Sequence, residues 1–135
     1  MVWLDGGRFY WAPAPFWAVL VGYVLLLLGC LGSGWAQAVN RHFEPSVRIQ
    51  TDRDHHVITT GPYAFVRHPG SVSGAILAIG IALALGSLCA LLPAALVGVV
   101  LVIRTNLEDA TLQRELLGYA EYAARVRSKW IPGVW

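Results

Sequence analysis

The sequence predicts an all-α integral membrane protein, with about three transmembrane helices (one helix plus a helical hairpin) and a cytoplasmic C-terminal amphipathic helix. Three observations predict it. Of the 135 residues, 56% are hydrophobic and only 13% charged, against about a quarter charged in an average soluble domain, and the mean hydropathy is +0.56. No Lys, Arg, Asp or Glu stands between Arg8 and Arg41, or between Arg67 and Arg104; a hydrocarbon core of ~30 Å needs ~20 helical residues, so either block can cross it. Nine of the ten basic residues fall in two stretches, Arg41 to Arg67 and Arg104 to Lys129, which by the excess of positive charge on inner loops marks both as cytoplasmic.

The whole chain, 1–135, reads as one membrane domain. Its opening, Met1 to Pro15, has neither a basic n-region nor a small-residue cleavage site, and the apolar run that follows is too long for a signal sequence, so no removal is expected. Residues 16–38 form the first membrane helix. Residues 40–70 are a polar cytoplasmic connector, in which Val47 and Ile49 alternate with polar neighbours as in extended chain at the interface. His55 and His56 are adjacent and point in different directions on a helix or a strand, so they do not form a metal set.

Within that connector, Thr60-Gly61-Pro62 reads as a helix start, with Thr60 or Gly61 as cap and Pro62 at the first helical position. A short helix to Arg67 follows, ended by Pro69, which disfavours helical geometry at His68. Ser71 or Ser73 then caps the next membrane helix. Residues 71–104 are too long for one ordinary crossing and are interrupted at Gly86-Ser87, with Pro93 soon after, so they read as a hairpin of two helices. Residues 106–129 carry Leu112, Leu116, Tyr119, Ala123 and Val126 at helical spacing, an amphipathic cytoplasmic helix interrupted at Gly118. It closes before Pro132 and an end bearing Trp130 and Trp135, residues suited to the membrane interface. Cys30 and Cys89 lie singly in apolar segments and read as packing residues.

Two places carry charge where hydrocarbon makes it expensive. Arg67 and His68 sit at the junction before the hairpin, beside the positive end of the following helix, a place suited to an anion. Arg104, Glu108 and Asp109 emerge from the last crossing, where ionisable groups are functional candidates. The plainer alternatives are an Arg67 that snorkels to lipid phosphate and acidic groups that merely mark a helix end. A net charge of +2 is too small to point to nucleic acid.

Gly61-Pro62-Tyr63, Val66-Arg67-His68-Pro69-Gly70, a helical hairpin, Arg104, Glu108-Asp109, and Gly118-Tyr119-Ala120-Glu121-Tyr122 with Val126, Arg127 and Pro132 follow in order. This succession, from about Asn40 to Trp135, resembles the isoprenylcysteine carboxyl methyltransferase and phospholipid methyltransferase family of membrane enzymes. The resemblance implies an S-adenosylmethionine-dependent methyltransferase, with its cofactor at the cytoplasmic ends of the last membrane helices. Tyr63, Arg67, His68, Pro69, Glu108, Asp109 and Tyr122 are its implied cofactor-binding residues, and Arg67 and Glu108 its implied catalytic ones; no metal is implied. The partners expected are membrane lipids and a lipophilic or prenylated acceptor, and the site is expected to face the cytoplasm of a bacterial cell. The side chains suit these roles: Arg67 or His68 a carboxylate, Glu108 or Asp109 an ammonium or ribose hydroxyls. Tyr63, Tyr119 and Tyr122 can line a cation with aromatic faces.

The chain departs from the family in two respects. Family members usually have a tyrosine two residues beyond the proline and a glycine two further on, where this chain has Ser71 and Ser73, with Gly74 displaced by one. They also commonly carry further membrane helices before the equivalent of Phe16, so this chain reads as short at its N-terminus. Two other readings remain open: an NADPH-dependent sterol-reductase-like membrane enzyme, although no dinucleotide Gly-rich fingerprint is present, and a non-catalytic small membrane protein.

Overall fold

The computed structural model describes residues 12–43 and 56–135. Helix α1 spans Phe16–Val39, α2 Pro69–Ala84, α3 Leu91–Glu115 and α4 Tyr119–Arg125; short 3-10 turns cover Gly61–Ala64 and Leu88–Ala90. Among the described residues there is no β-strand, only an isolated antiparallel bridge between Pro13 and Ser87. The expected alternation at Val47 and Ile49, the basic residues Arg48 and Arg53, and His55 lie outside the described residues.

Helix α1 agrees with the predicted first span. At 1.5 Å per residue its 24 residues reach about 36 Å, enough for a bilayer core. The apolar stretch Leu88–Glu115 is likewise long enough to cross, whereas α2 has only 16 residues, about 24 Å. Among the described residues two helices therefore meet the length of a full crossing, and the first arm of the hairpin is a shorter apolar helix.

The chain divides into two compact units, one of residues up to Leu31 with Ser73–Leu101, the other Gly32–Val72 with Val102–Trp135. In the first, α1 and α2 meet through small residues. A Cβ on Gly22 would fall 2.3 Å from the Ala84 nitrogen, and one on Gly80 would fall 2.5 Å from the Leu26 nitrogen. The two backbones thus approach closely at Gly22 and at Gly80, each of which has no side chain to hold the partner helix away. Ala18, Ala82, Ala90 and Ala94 are buried, while Leu20, Leu27, Leu31, Leu92, Leu96 and Val100 are exposed. Small residues inside and large apolar ones outside are the arrangement expected when lipid, not water, surrounds the helices. The turn between the hairpin arms is held by Ala14 N donating to the Gly86 carbonyl and Leu88 N to the Ala12 carbonyl, both at 2.9 Å.

The second unit is built on a core of Ala36, Tyr63, Leu116, Tyr119 and Tyr122, with Val39, Val57, Ile58, Leu112, Ala123 and Val126 packed against it. Three expectations change here. The short helix expected from Pro62 to Arg67 is only the 3-10 turn Gly61–Ala64, although Thr60 is its cap and Pro62 lies in its first turn as expected. The helix expected to be capped by Ser71 or Ser73 begins at Pro69 itself. The His68 carbonyl accepts from Ser71 N at 3.1 Å and Val72 N at 3.3 Å, and proline is at home at a first helical position. The helix expected over 106–129 is interrupted at Gly118 as expected, but its first part is not a separate element: α3 runs unbroken from Leu91 through Glu115, and α4 starts only after Gly118, whose φ of +84° puts a left-handed residue between them, a conformation that glycine adopts without strain.

Candidate active site

The second unit brings together the residues that the sequence sets at the two membrane borders. Arg67 and His68 lie between the 3-10 turn and α2, and Glu108 and Asp109 lie on α3. Asp109 is at the centre, 2% exposed. Its Oδ1 is 3.1 Å from Arg67 Nη1 and 3.1 Å from His68 Nε2, and it accepts a hydrogen bond from the Tyr119 hydroxyl at 2.9 Å. Its Oδ2 accepts from Gln113 Nε2 at 2.7 Å. A carboxylate only accepts, so His68 donates through Nε2. The other imidazole nitrogen, Nδ1, then faces Glu108 Oε2 at 4.0 Å.

The two neighbouring acids differ in what they leave available. Asp109 is engaged on both oxygens. Glu108 is partly exposed, and its closest contacts are His68 at 4.0 Å and Arg104 Nε at 3.8 Å, both beyond hydrogen-bond length. Arg67 also donates from Nη2 to the Arg127 carbonyl at 3.3 Å. Its Nε is buried without a hydrogen-bond partner. Such a donor is uncommon in a folded interior and costs stability until an acceptor reaches it.

Arg67 and His68 precede the first turn of α2, as the expected anion site at its positive end requires, but their own amides are already paired. Arg67 N donates to the Ser128 carbonyl and His68 N to the Lys129 carbonyl, each at 3.0 Å, and Pro69 has no N–H. What Arg67 and His68 themselves can offer an anion is therefore carried by their side chains.

Tyr63 and Tyr122 are both buried and stand together: the Tyr122 hydroxyl donates to the Tyr63 carbonyl at 2.6 Å, and Asn40 Nδ2 donates to the Tyr63 hydroxyl at 3.1 Å. The Tyr119 and Tyr122 rings meet edge to face, 5.4 Å between centroids. Burial raises the phenol pKa of Tyr63, offset in part by the Asn40 bond, and raises that of Tyr119, where the charge of Asp109 adds to it. Burial followed by the neighbouring Tyr63 does the same at Tyr122. All three therefore keep their phenol protons over the physiological range. Gln113 and Asn40 were not singled out by sequence reasoning. Gln113 stands one helical turn beyond Asp109, a spacing at which side chains meet, and that was the available signal; Asn40 had none.

No curated protein matches the chain. The family model for phospholipid methyltransferases matches residues 17–117, which takes in α1, the Arg67-His68-Pro69 turn and the Glu108-Asp109 pair and stops just before Tyr119. A match over most of the chain, together with apolar helices long enough to cross a bilayer, means that this integral membrane protein belongs to the phospholipid methyltransferase family of membrane methyltransferases.

Proposed function

We propose that the protein is an S-adenosylmethionine-dependent methyltransferase that acts at the cytoplasmic face of a bacterial cytoplasmic membrane on a lipophilic acceptor. The acceptor is either a carboxylate of the isoprenylcysteine kind or an amine. The observation that carries the reading is the buried Nε of Arg67, unpartnered among the described residues, beside His68, whose other neighbour is the partly exposed Glu108, held among the described residues only by contacts of 3.8–4.0 Å. An N–H donor and a partly exposed acceptor on the two sides of one histidine suit a ligand with a carboxylate at one end and an ammonium or ribose hydroxyls at the other.

When bound, S-adenosylmethionine supplies a methyl group activated on a sulfonium. The chain's own residues bind and orient. Arg67 offers Nε–H to the carboxylate, Glu108 accepts from the ammonium or ribose, and Asp109 holds Arg67 and His68 in place. The rings of Tyr63, Tyr119 and Tyr122 exclude water and present faces to positive charge. Such a transfer needs alignment more than acid or base; with an amine acceptor, Glu108 is the group placed to take the proton.

Calorimetric titration of the detergent-solubilised protein with S-adenosylmethionine, and separately with NADPH, tests this. Saturable binding of the first alone is expected. Arg67→Lys should weaken it, because an ammonium cannot reproduce the fork that reaches Asp109, Arg127 and the ligand together. Binding of NADPH alone would turn the assignment to the reductase reading.

A further inference from the structure

The stretch from Arg127 to Trp130, just after α4, reaches both sides of the site. Three successive carbonyls take three donors from the Arg67–His68 turn: Arg127 O from Arg67 Nη2 at 3.3 Å, then Ser128 O from Arg67 N and Lys129 O from His68 N, each at 3.0 Å. On the opposite side two successive side chains reach two successive residues of α3. Lys129 Nζ donates to Asn106 Oδ1 at 2.6 Å, and Trp130 Nε1 donates to Thr105 Oγ1 at 2.9 Å. Thr105 is fully buried and lies three positions before Glu108, on the same turn of helix. The tail is braced in its own right, since Gly133 N donates to Ser128 Oγ at 2.9 Å.

Neither amide of the turn has a helical partner: the 3-10 turn has ended, and α2 begins only at Pro69. Two buried backbone donors of this kind must be satisfied from elsewhere, and the carbonyls of Ser128 and Lys129 satisfy them. We propose that Arg127–Trp130 is a positioning strap for the cofactor site, with Trp130 and Thr105 as its positioning residues. It sets the separation between the Arg67–His68 turn and Glu108, the two ends that a ligand bearing a carboxylate and an ammonium has to bridge. The ligand's identity rests on the methyltransferase reading; the strap itself rests on the hydrogen bonds alone.

Three variants of the full chain, in one detergent, test the strap. Thr105→Val removes the acceptor at nearly constant volume, Thr105→Ser keeps it, and Trp130→Phe removes the donor. Two readouts are taken: hydrogen exchange at the Arg67 and His68 amides without ligand, and calorimetric affinity for S-adenosylmethionine. Thr105→Val and Trp130→Phe should each speed exchange at both amides and weaken cofactor affinity about two- to tenfold, the range of one neutral hydrogen bond. Thr105→Ser, which keeps the acceptor oxygen, should match the parent in both readouts. The Val/Phe double variant should be no worse than either single one, because both remove the same bond. Parent-like exchange in both single variants would overturn the strap; faster exchange with unchanged cofactor affinity would overturn its positioning role. Failure of the parent to bind S-adenosylmethionine would overturn the functional reading instead, and the exchange rates would still decide the strap.

Discussion

Asp109 Oδ1 and Arg67 Nη1 lie 3.1 Å apart, with the two side chains only 4% and 7% exposed. A buried ion pair of this kind is weak as a net source of stability, yet losing one partner strands the other charge in a poor solvent for it. This distinguishes the two adjacent acids, one enclosed and one reachable.

Asp109→Asn should therefore behave as a folding variant and Glu108→Gln as a binding variant. The first leaves Arg67 without its counter-charge and should cost about 3–5 kcal/mol, seen as a lower melting temperature in detergent and lost cofactor binding together. The second should leave melting unchanged and weaken S-adenosylmethionine binding by about 1.5–3 kcal/mol. Melting curves and titrations on both proteins check this; an Asp109→Asn protein that melts like the parent would refute the anchoring role.

The three buried tyrosines make a prediction about alkali. Their phenol pKa values are raised by burial, so the folded state holds these protons more tightly than the unfolded state, where Tyr titrates near pH ~10. Their contribution to stability is complete below about pH 10 and is lost as pH rises through and beyond it. Phenolate absorbance should thus show Tyr119 and Tyr122 silent near pH ~10 in the folded protein and appearing only well above it or on unfolding, with Tyr63 displaced in the same direction. Tyr119→Phe should leave the absorbance change near pH ~10 unaltered.

Close approach of α1 and α2 predicts a contrast between two glycines of the same helix. Gly22→Ala places a methyl against backbone atoms of Leu83 and Ala84, which cannot yield as a flexible side chain would, whereas a Cβ at Gly34 meets nothing within 4 Å. The first should destabilise by about 1–3 kcal/mol as overpacking does; Gly34→Ala should be neutral or better, since alanine favours helix. Thermal melting of the two variants in one detergent gives the comparison, and equal melting would contradict the packing described.

The basic residues predict orientation. A reporter fused after Trp135 should read cytoplasmic and one inserted at Gly86-Ser87 external, because the basic residues gather in the connector and tail and none lies at that turn. The reverse pattern would require the site to face the other side.

The helices were legible in the sequence because hydrocarbon tolerates so few alternatives: a long uncharged run must hydrogen-bond within itself, which leaves helix as its form. The charges at Arg67 and at Glu108-Asp109 were legible for the same reason, being costly at a membrane border. What only tertiary structure decided is which groups meet. His68 and Asp109 are 41 positions apart, and His68 and Tyr119 are 51, whereas periodicity and capping rules reach no further than about one helical turn. The same limit hid the tail's hold on Arg67 and His68. Read locally, Pro69 ends the helical pairing at His68; in the fold, the carbonyls of Ser128 and Lys129 take up the Arg67 and His68 amides, because a buried donor must find an acceptor that packing supplies. Between two adjacent acids that are equivalent in sequence, packing alone made Asp109 the enclosed partner of Arg67 and left Glu108 partly exposed.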